Sequence, residues 1–294
     1  MDTLADIEAL RSWQRCRLQE FNPVTVQRRM GPANVTALCY FFWKGEDADR
    51  HFPYIQCAIQ ETWRHCGMLK TVIVTNERFR CVDDFAERYG HFVENQIEES
   101  LHPGQIDTMS ADCNGKLHTR FSTDYVLIIQ DDGFPLRRGL EYFLGKGDFI
   151  ASPRCAVRDA WHVVFLRRIM RLVPFNGGFS LRTRRICRLA AEHWERKWKA
   201  LHPIHETIED VYYTTTLPRH SPLYRLSVRA NDVLLGYRFA VESTYFPPSM
   251  SELPFGFHSA RALRKLCETY PGLAGGCVQC HGFDCTAATQ GLGR

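Results

Sequence analysis

Residues 125–133 read YVLIIQDDG. Tyr125 to Ile129 form an apolar run with no polar alternation, the mark of a strand buried on both faces of a parallel sheet. Gln130, Asp131, Asp132 and Gly133 end that run abruptly. The pattern predicts a strand over Tyr125 to Gln130 whose carboxyl end carries two adjacent acids.

Outward from this strand, the same texture recurs. Val35 to Trp43 is near-continuously apolar, Thr71 to Val74 is a second such run, and His91 to Glu94 and Asp148 to Ser152 are shorter ones. Between them lie segments of helical period: Tyr54 to Cys66, Phe79 to Tyr89, Ile106 to Phe121 and a short one near Leu140. Alternation at this spacing predicts an α/β fold, a mostly parallel central sheet flanked by crossover helices. Before the first strand, Leu4, Ile7, Leu10, Trp13 and Cys16 stand three apart. That predicts an opening helix with Thr3 as its cap and Asp6 three residues on. The second half is less regular. It predicts a helix over Arg182 to Leu201, a shorter one over Glu209 to Thr216, a strand over Phe239 to Tyr245 and a loosely packed Gly- and Cys-rich tail from Pro271.

The chain has 294 residues, 45% apolar and 24% charged, which excludes disordered and fibrous classes. Its longest apolar run, about Thr36 to Trp43, falls far short of the ~20 residues needed to cross a bilayer. The opening MDTLADIEAL carries early acids and no apolar stretch, so no secretory signal is expected and the expected compartment is the cytoplasm. The twelve cysteines are then expected to be reduced, nine of them packed as small hydrophobes. Cys277, Cys280, His281 and Cys285 in the tail are all good zinc ligands. Their short spacing and the adjacency of Cys280 to His281 favour a loose, reduced tail over a zinc site. The net charge of +4 is too small to mark a nucleic-acid binder. Yet Arg154 to Lys199 holds twelve Arg or Lys against three acids, a local +9 that leaves −5 elsewhere. Such a concentration predicts one positive face.

Strand ends are where an open α/β sheet places ligands. Two adjacent carboxylates are costly to bury without a cation or several donors. Mg²⁺ takes one or two carboxylates together with substrate phosphates and waters, and would neutralise a departing diphosphate as a Lewis acid. Asp-Asp-Gly is equally good turn chemistry, so the stretch alone leaves both readings open. In NGGFSLR, residues 176–182, Gly177 and Gly178 precede an expected helix start and let backbone approach a ligand closely. Glu209 and Asp210 open a short helix, where the dipole favours carboxylates and a base can be held ready. His258 sits in the aromatic turn PFGFH. Trp43, at the end of the first strand, is placed either to stack on a nucleotide base or simply to fill the core.

Taken in order, LIIQDDGF, DFIASP, NGGFSLR, EDVYY, FAVES and PFGFH resemble a largely uncharacterised family of GT-A-type glycosyltransferases from bacteria, phages and fungi. The resemblance spans roughly Val35 to His258. It implies a GT-A-like, Rossmann-like single catalytic domain that takes a nucleotide-sugar, a UDP-sugar first among them, with Mn or Mg. On this resemblance Asp132 and His258 would hold metal, and Gln130 and Asp131 would complete the diphosphate site. Asn176, Gly177 and Gly178 would line the acceptor side, the basic Arg154 to Lys199 segment would form a positive rim beside them that guides an anionic acceptor, and Asp210 or Glu209 would be the base of an inverting transfer. The first position of the acidic motif is Gln130 rather than Asp. The implied division is an N-terminal helical segment (1–33), a nucleotide-sugar half (34–175), an acceptor half (176–262) and a C-terminal helix with tail (263–294). The acceptor would be a glycan or an anionic polymer such as hydroxymethylated DNA. The rival reading is a non-catalytic module that binds a nucleotide-sugar or nucleic acid.

Overall fold

A computed structural model describes residues 3–21, 29–153, 175–195, 208–221, 233–242, 252–270 and 273. The cysteine-rich tail, the strand residues expected at 243–245 and most of the basic 154–199 segment lie outside the described residues.

The first helix, α1 (Leu4–Gln19), starts on a full capping box: Thr3 accepts from the Asp6 N–H, and the Asp6 carboxylate accepts from the Thr3 N–H. Its expected apolar stripe is only partly buried. Leu10 and Trp13 are in the core, whereas Leu4 is 72% exposed. A strict three-residue spacing falls about 60° behind the helix at each step, so five such residues cannot share one face.

The sheet follows as β1 (Val35–Phe41), β2 (Lys70–Thr75), β3 (Val93–Ile97), β4 (Tyr125–Ile128), β5 (Phe149–Pro153) and β6 (Phe175–Thr183). Its order is β3-β2-β1-β4-β6-β5. β1, β2, β3 and β4 are mutually parallel, with Leu38 opposite Ile128. The α/β architecture expected from the alternating pattern is present. One expectation needs correcting: NGGFSLR does lead to a helix, but the segment itself is the body of β6, which runs antiparallel to both β4 and β5, and its Leu181 and Arg182 are strand, not helix. Every residue from Phe175 to Arg182 is buried, and a segment walled in on all sides satisfies its backbone through sheet ladders.

Helices cover both faces. On one, α2 (Asp47–Cys66) and α3 (Arg80–Tyr89) pack Phe52, Ile59, Trp63 and Phe85 onto Ala37, Ile73 and Leu127. On the other, α4 (Ile106–Gly115) and α5 (Arg184–His193) pack Met109, Cys113, Ile186 and Cys187 onto Leu38, Val72 and Ile128. Adjacent strand residues thus serve opposite layers, as a strand's two-residue period requires. α2 begins seven residues earlier than expected and carries Pro53 within it. α4 stops at Gly115, with a 3₁₀ turn at Leu117–Thr119 in place of further helix. α5 starts only at Arg184, capped by Thr183. Cys39, Cys57, Cys66, Cys113 and Cys187 are buried thiols, as small hydrophobes should be.

The remaining elements are α6 (Glu209–Val211), a π turn over Tyr212–Thr216, α7 (Leu217–His220), α8 (Val233–Phe239), β7 (Ala240–Glu242), β8 (Gly256–His258) and α9 (Ala260–Thr269). β7 and β8 form a small parallel pair that sets Glu242 opposite His258. α9 closes the third cluster, in which Leu263 and Leu266 meet Leu10 and Trp13 of α1. Among the described residues no helix is long and apolar enough to cross a membrane.

Candidate active site

Chain order runs outward from β1 to β3 and then returns to β4 on β1's other side, so β1 and β4 flank a topological switch point. The crevice at their carboxyl ends is where open α/β sheets bind ligands. There the chain turns tightly: the Gln130 N–H donates to the Gly133 carbonyl at 2.9 Å, and the Gly133 N–H returns to the Gln130 carbonyl at 3.1 Å. Asp131 and Asp132 occupy the two central positions. Phe134 pins the turn in the core, stacked on Trp13 at 5.8 Å and edge-on to Phe257 at 4.8 Å.

The two acids part company. Asp131 turns toward α1, where Arg11 pairs with it at 2.5 Å and the Gln14 amide donates to its carbonyl. Expected as a ligand-binding acid, it fastens α1 to the turn. Asp132 faces His258 at 3.6 Å from Oδ1 to Nε2, and the same nitrogen lies 3.0 Å from Gln130 Oε1. Across β7, Glu242 Oε1 stands 3.7 Å from His258 Nδ1, and its other oxygen accepts from the Asn176 amide. Asn176 Oδ1 in turn accepts from the Gly178 N–H at 2.9 Å. Gln130, Asp132, Asn176, Gly178, Glu242 and His258 therefore form one polar ring drawn from β4, β6, β7 and β8. The backbone beside it is strained: Ser259 has φ +88° and ψ 146°, a region almost reserved for glycine. Its side chain caps α9, and its N–H donates to the Asp132 carbonyl at 2.8 Å.

The glycines make room for the ring. A Cβ on Gly133 would come within 2.9 Å of the His258 ring, and one on Gly178 would overlap both His258 Nε2 and Gln130 Oε1. Gly178→Ala should cost about 1–3 kcal/mol by overpacking, read as a lower melting temperature, and should displace His258. A Cβ on Gly177 would instead enter the Glu209 carboxylate.

Glu209 is not placed as an unencumbered base. Its carboxylate is held by Arg182, which is fully buried between the rings of Phe149 (4.9 Å) and Tyr213 (4.7 Å). Burial disfavours the guanidinium's charge, but Glu209 more than offsets it, so the Arg182 pKa lies above its ordinary value. Asp210, next in the chain, is also buried; one of its carboxylate oxygens accepts from the Val211 N–H at 2.7 Å.

Trp43 is half-buried and stacks on His51 at 3.6 Å, with planes 4° apart, while Asn76 holds both its N–H and its carbonyl. Its ring thus already has one stacking partner. The four described arginines of the basic segment depart from expectation. Arg182 is inside the sheet, and Arg184, Arg185 and Arg188 lie past the other end of β6, where the Arg184 N–H meets the Asp124 carbonyl before β4 begins. Six residues of extended chain separate Gly178 from Arg184, about 20 Å. These arginines do not rim the site.

Glu242 is the site residue that sequence reasoning missed. Its signal was present in the FAVES motif, but only the β7–β8 register reveals that this acid faces His258. As to metal, no group of three His, Cys, Asp or Glu side chains is gathered for an ion among the described residues. Asp132 and His258 are nonetheless spaced for joint ligation of an ion with ligands at about 2.1 Å, of the kind that substrate phosphates complete.

Residues 106–258, just over half of the chain, match the model of a family described as a protein of unknown function, DUF5672. No curated protein matches the chain. Among solved structures it is similar to the apo-form glycosyltransferase GlyE of Streptococcus pneumoniae, at 10% identity over 77% of this chain and 54% of that one, with a TM-score of 0.42. It is similar to the mannosyltransferase Ktr4p of S. cerevisiae at 12% identity over 78% and 77%, with a TM-score of 0.41. It is also similar to the mannosyltransferase PcManGT of Pyrobaculum calidifontis, solved with GDP-Man and Mn²⁺, at 12% identity over 71% and 62%, with a TM-score of 0.36. The chain thus spans about half the length of the first of these proteins and under two thirds of the third.

Proposed function

The chain belongs to the DUF5672 family, whose function is unknown, and we propose that it is a glycosyltransferase moving a sugar from a nucleotide-sugar to an acceptor hydroxyl. The observation that carries this reading is the meeting of Asp132, Gln130 and His258 beside the bare backbone of Gly178, at the carboxyl end of β4. The motif series LIIQDDGF to PFGFH supports it independently.

In this reading the donor diphosphate lies against the Gln130–Gly133 turn. A divalent cation held there by Asp132 and His258 would supply positive charge against the leaving group. Glu242, bonded to the Asn176 amide, sets its negative charge 3.7 Å from His258 Nδ1 on the far side of the ring, while the Nε2 edge faces Gln130 and Asp132. The acceptor oxygen bonds to the anomeric carbon as the bond from that carbon to the phosphate oxygen breaks. Asp210, the acid of the pair not committed to Arg182, takes the hydroxyl proton, and the configuration inverts.

The test is a panel of UDP- and GDP-sugars incubated with the protein and Mn²⁺ or Mg²⁺, with nucleotide release and product mass read by mass spectrometry. Release of nucleoside diphosphate from one donor, above that of Asp132→Asn, is expected. A protein that neither binds nor turns over any donor, with or without metal, would sink the reading.

A further inference from the structure

At the end of β6 remote from the candidate active site, a cavity of 290 Å³ opens against the start of α5. The described residues that line it are His118, from the 3₁₀ turn after α4, and Arg184, Arg185 and Arg188. Not all of this charge is matched. Arg185 is paired with Asp148 at 2.6 Å. Arg188 makes a loose, exposed ion pair with Glu192 at 4.0 Å, too long for a hydrogen bond, and no described carboxylate pairs with Arg184. Among the described residues the Arg184 side chain makes a long hydrogen bond, 3.4 Å, to the His118 carbonyl.

His118 adds a second, independent sign. Its Nδ1 is buried and makes no hydrogen bond among the described residues. A buried polar atom without a partner asks for one from outside the fold. Two guanidiniums with no described carboxylate closer than 4.0 Å and a histidine nitrogen with no hydrogen bond among the described residues, around one cavity, are complementary to a tetrahedral oxyanion once that nitrogen carries a proton, and the forked donors of arginine suit phosphate. The positive end of the α5 dipole acts in the same sense. The volume lies at the lower end for ligand pockets, which suits a small molecule rather than a duplex backbone with its extended row of charges.

We propose that this cavity binds a small phosphate-bearing molecule at a site separate from the candidate active site. Arg184 and Arg188 grip the phosphate, and His118 donates to it from Nδ1.

Pyrophosphate is the probe, with binding read by calorimetry and by the His118 imidazole resonances. Wild type and Asp132→Asn should both bind it saturably. Arg184→Ala combined with Arg188→Ala should bind about tenfold or more weakly, since charge-assisted hydrogen bonds are lost. Both arginines are exposed, so the fold should survive. Arg184→Lys with Arg188→Lys, which keeps the charge, should fall between. Burial, then Arg184 and Arg188, hold the His118 pKa below its ordinary value, with Glu192 opposing. Bound pyrophosphate should raise it in wild type and not in the alanine variant. Unchanged affinity in that variant would overturn the proposal. So would binding that only Asp132→Asn abolishes, which would put pyrophosphate in the active site and leave the glycosyltransferase reading standing. Duplex DNA and phosphatidic acid vesicles are the remaining arms. Binding of either in the absence of pyrophosphate binding also overturns it.

Discussion

Asp132→Asn should leave a folded protein whose transfer rate has dropped by about 10²–10³, the usual loss when one preorganised electrostatic contact to developing charge is removed. The substitution keeps volume and deletes one negative charge from a side chain that is 32% exposed, so the fold has little reason to suffer. His258 would keep its contact with Gln130 and its position opposite Glu242. What disappears is the carboxylate that, in the proposed reading, would join His258 at the diphosphate. Turnover and melting temperature, measured together, check this. Near-wild-type turnover at saturating metal would remove Asp132 from the site, and a collapsed melting temperature would make it structural.

Glu209→Gln should act through the fold, and Asp210→Asn through the chemistry. Arg182 is fully buried, and removing its partner's charge leaves a desolvated guanidinium without compensation. Breaking such a pair costs about 3–5 kcal/mol. A glutamine still accepts one hydrogen bond, which sets the expectation at the low end. For a chain of this size each kcal/mol moves the melting temperature by about 2–4 °C, so the drop should be plain by calorimetry. Replacing both partners, Arg182→Met with Glu209→Leu, should recover much of it, because the isolated charge is gone. Asp210→Asn should instead melt close to wild type and lose about 10²–10⁴ in the maximal rate, with donor affinity little changed. The reverse pattern, a stable Glu209→Gln with no activity, would make Glu209 the base despite Arg182.

The features legible along the chain are those with local causes. The capping box at Thr3 and Asp6 needs only four residues of sequence, and the tight turn at Gln130–Gly133 needs the two polar residues and the glycine that stand there. The expected strand over Tyr125 to Gln130 ends at Ile128, a difference of two residues that leaves the turn where the pattern put it. The error over Asn176 to Arg182 has an equally local origin. Two glycines before a basic stretch announce the helix that does follow at Arg184, but nothing within the segment states that β4 and β5 will wall it in as a strand.

By itself the sequence determined that β and α elements alternate, that the strand leading to Gln130 is buried on both faces, and that acids stand past its carboxyl end. Periodicity and turn chemistry act over a few residues, so these are written in the chain. Only the tertiary structure decided the direction of β6, because an apolar run buried on both faces looks the same whichever way its neighbours run. It also separated Asp131 from Asp132 and Glu209 from Asp210. Adjacent carboxylates carry equal charge in the sequence, and their roles diverge only when Arg11 and Arg182, from distant segments, arrive beside one of each pair. The same long-range packing brought Glu242 to His258 and carried Arg184 away from Gly178, since the partner of a buried charge is set by whichever chain segment closes over it.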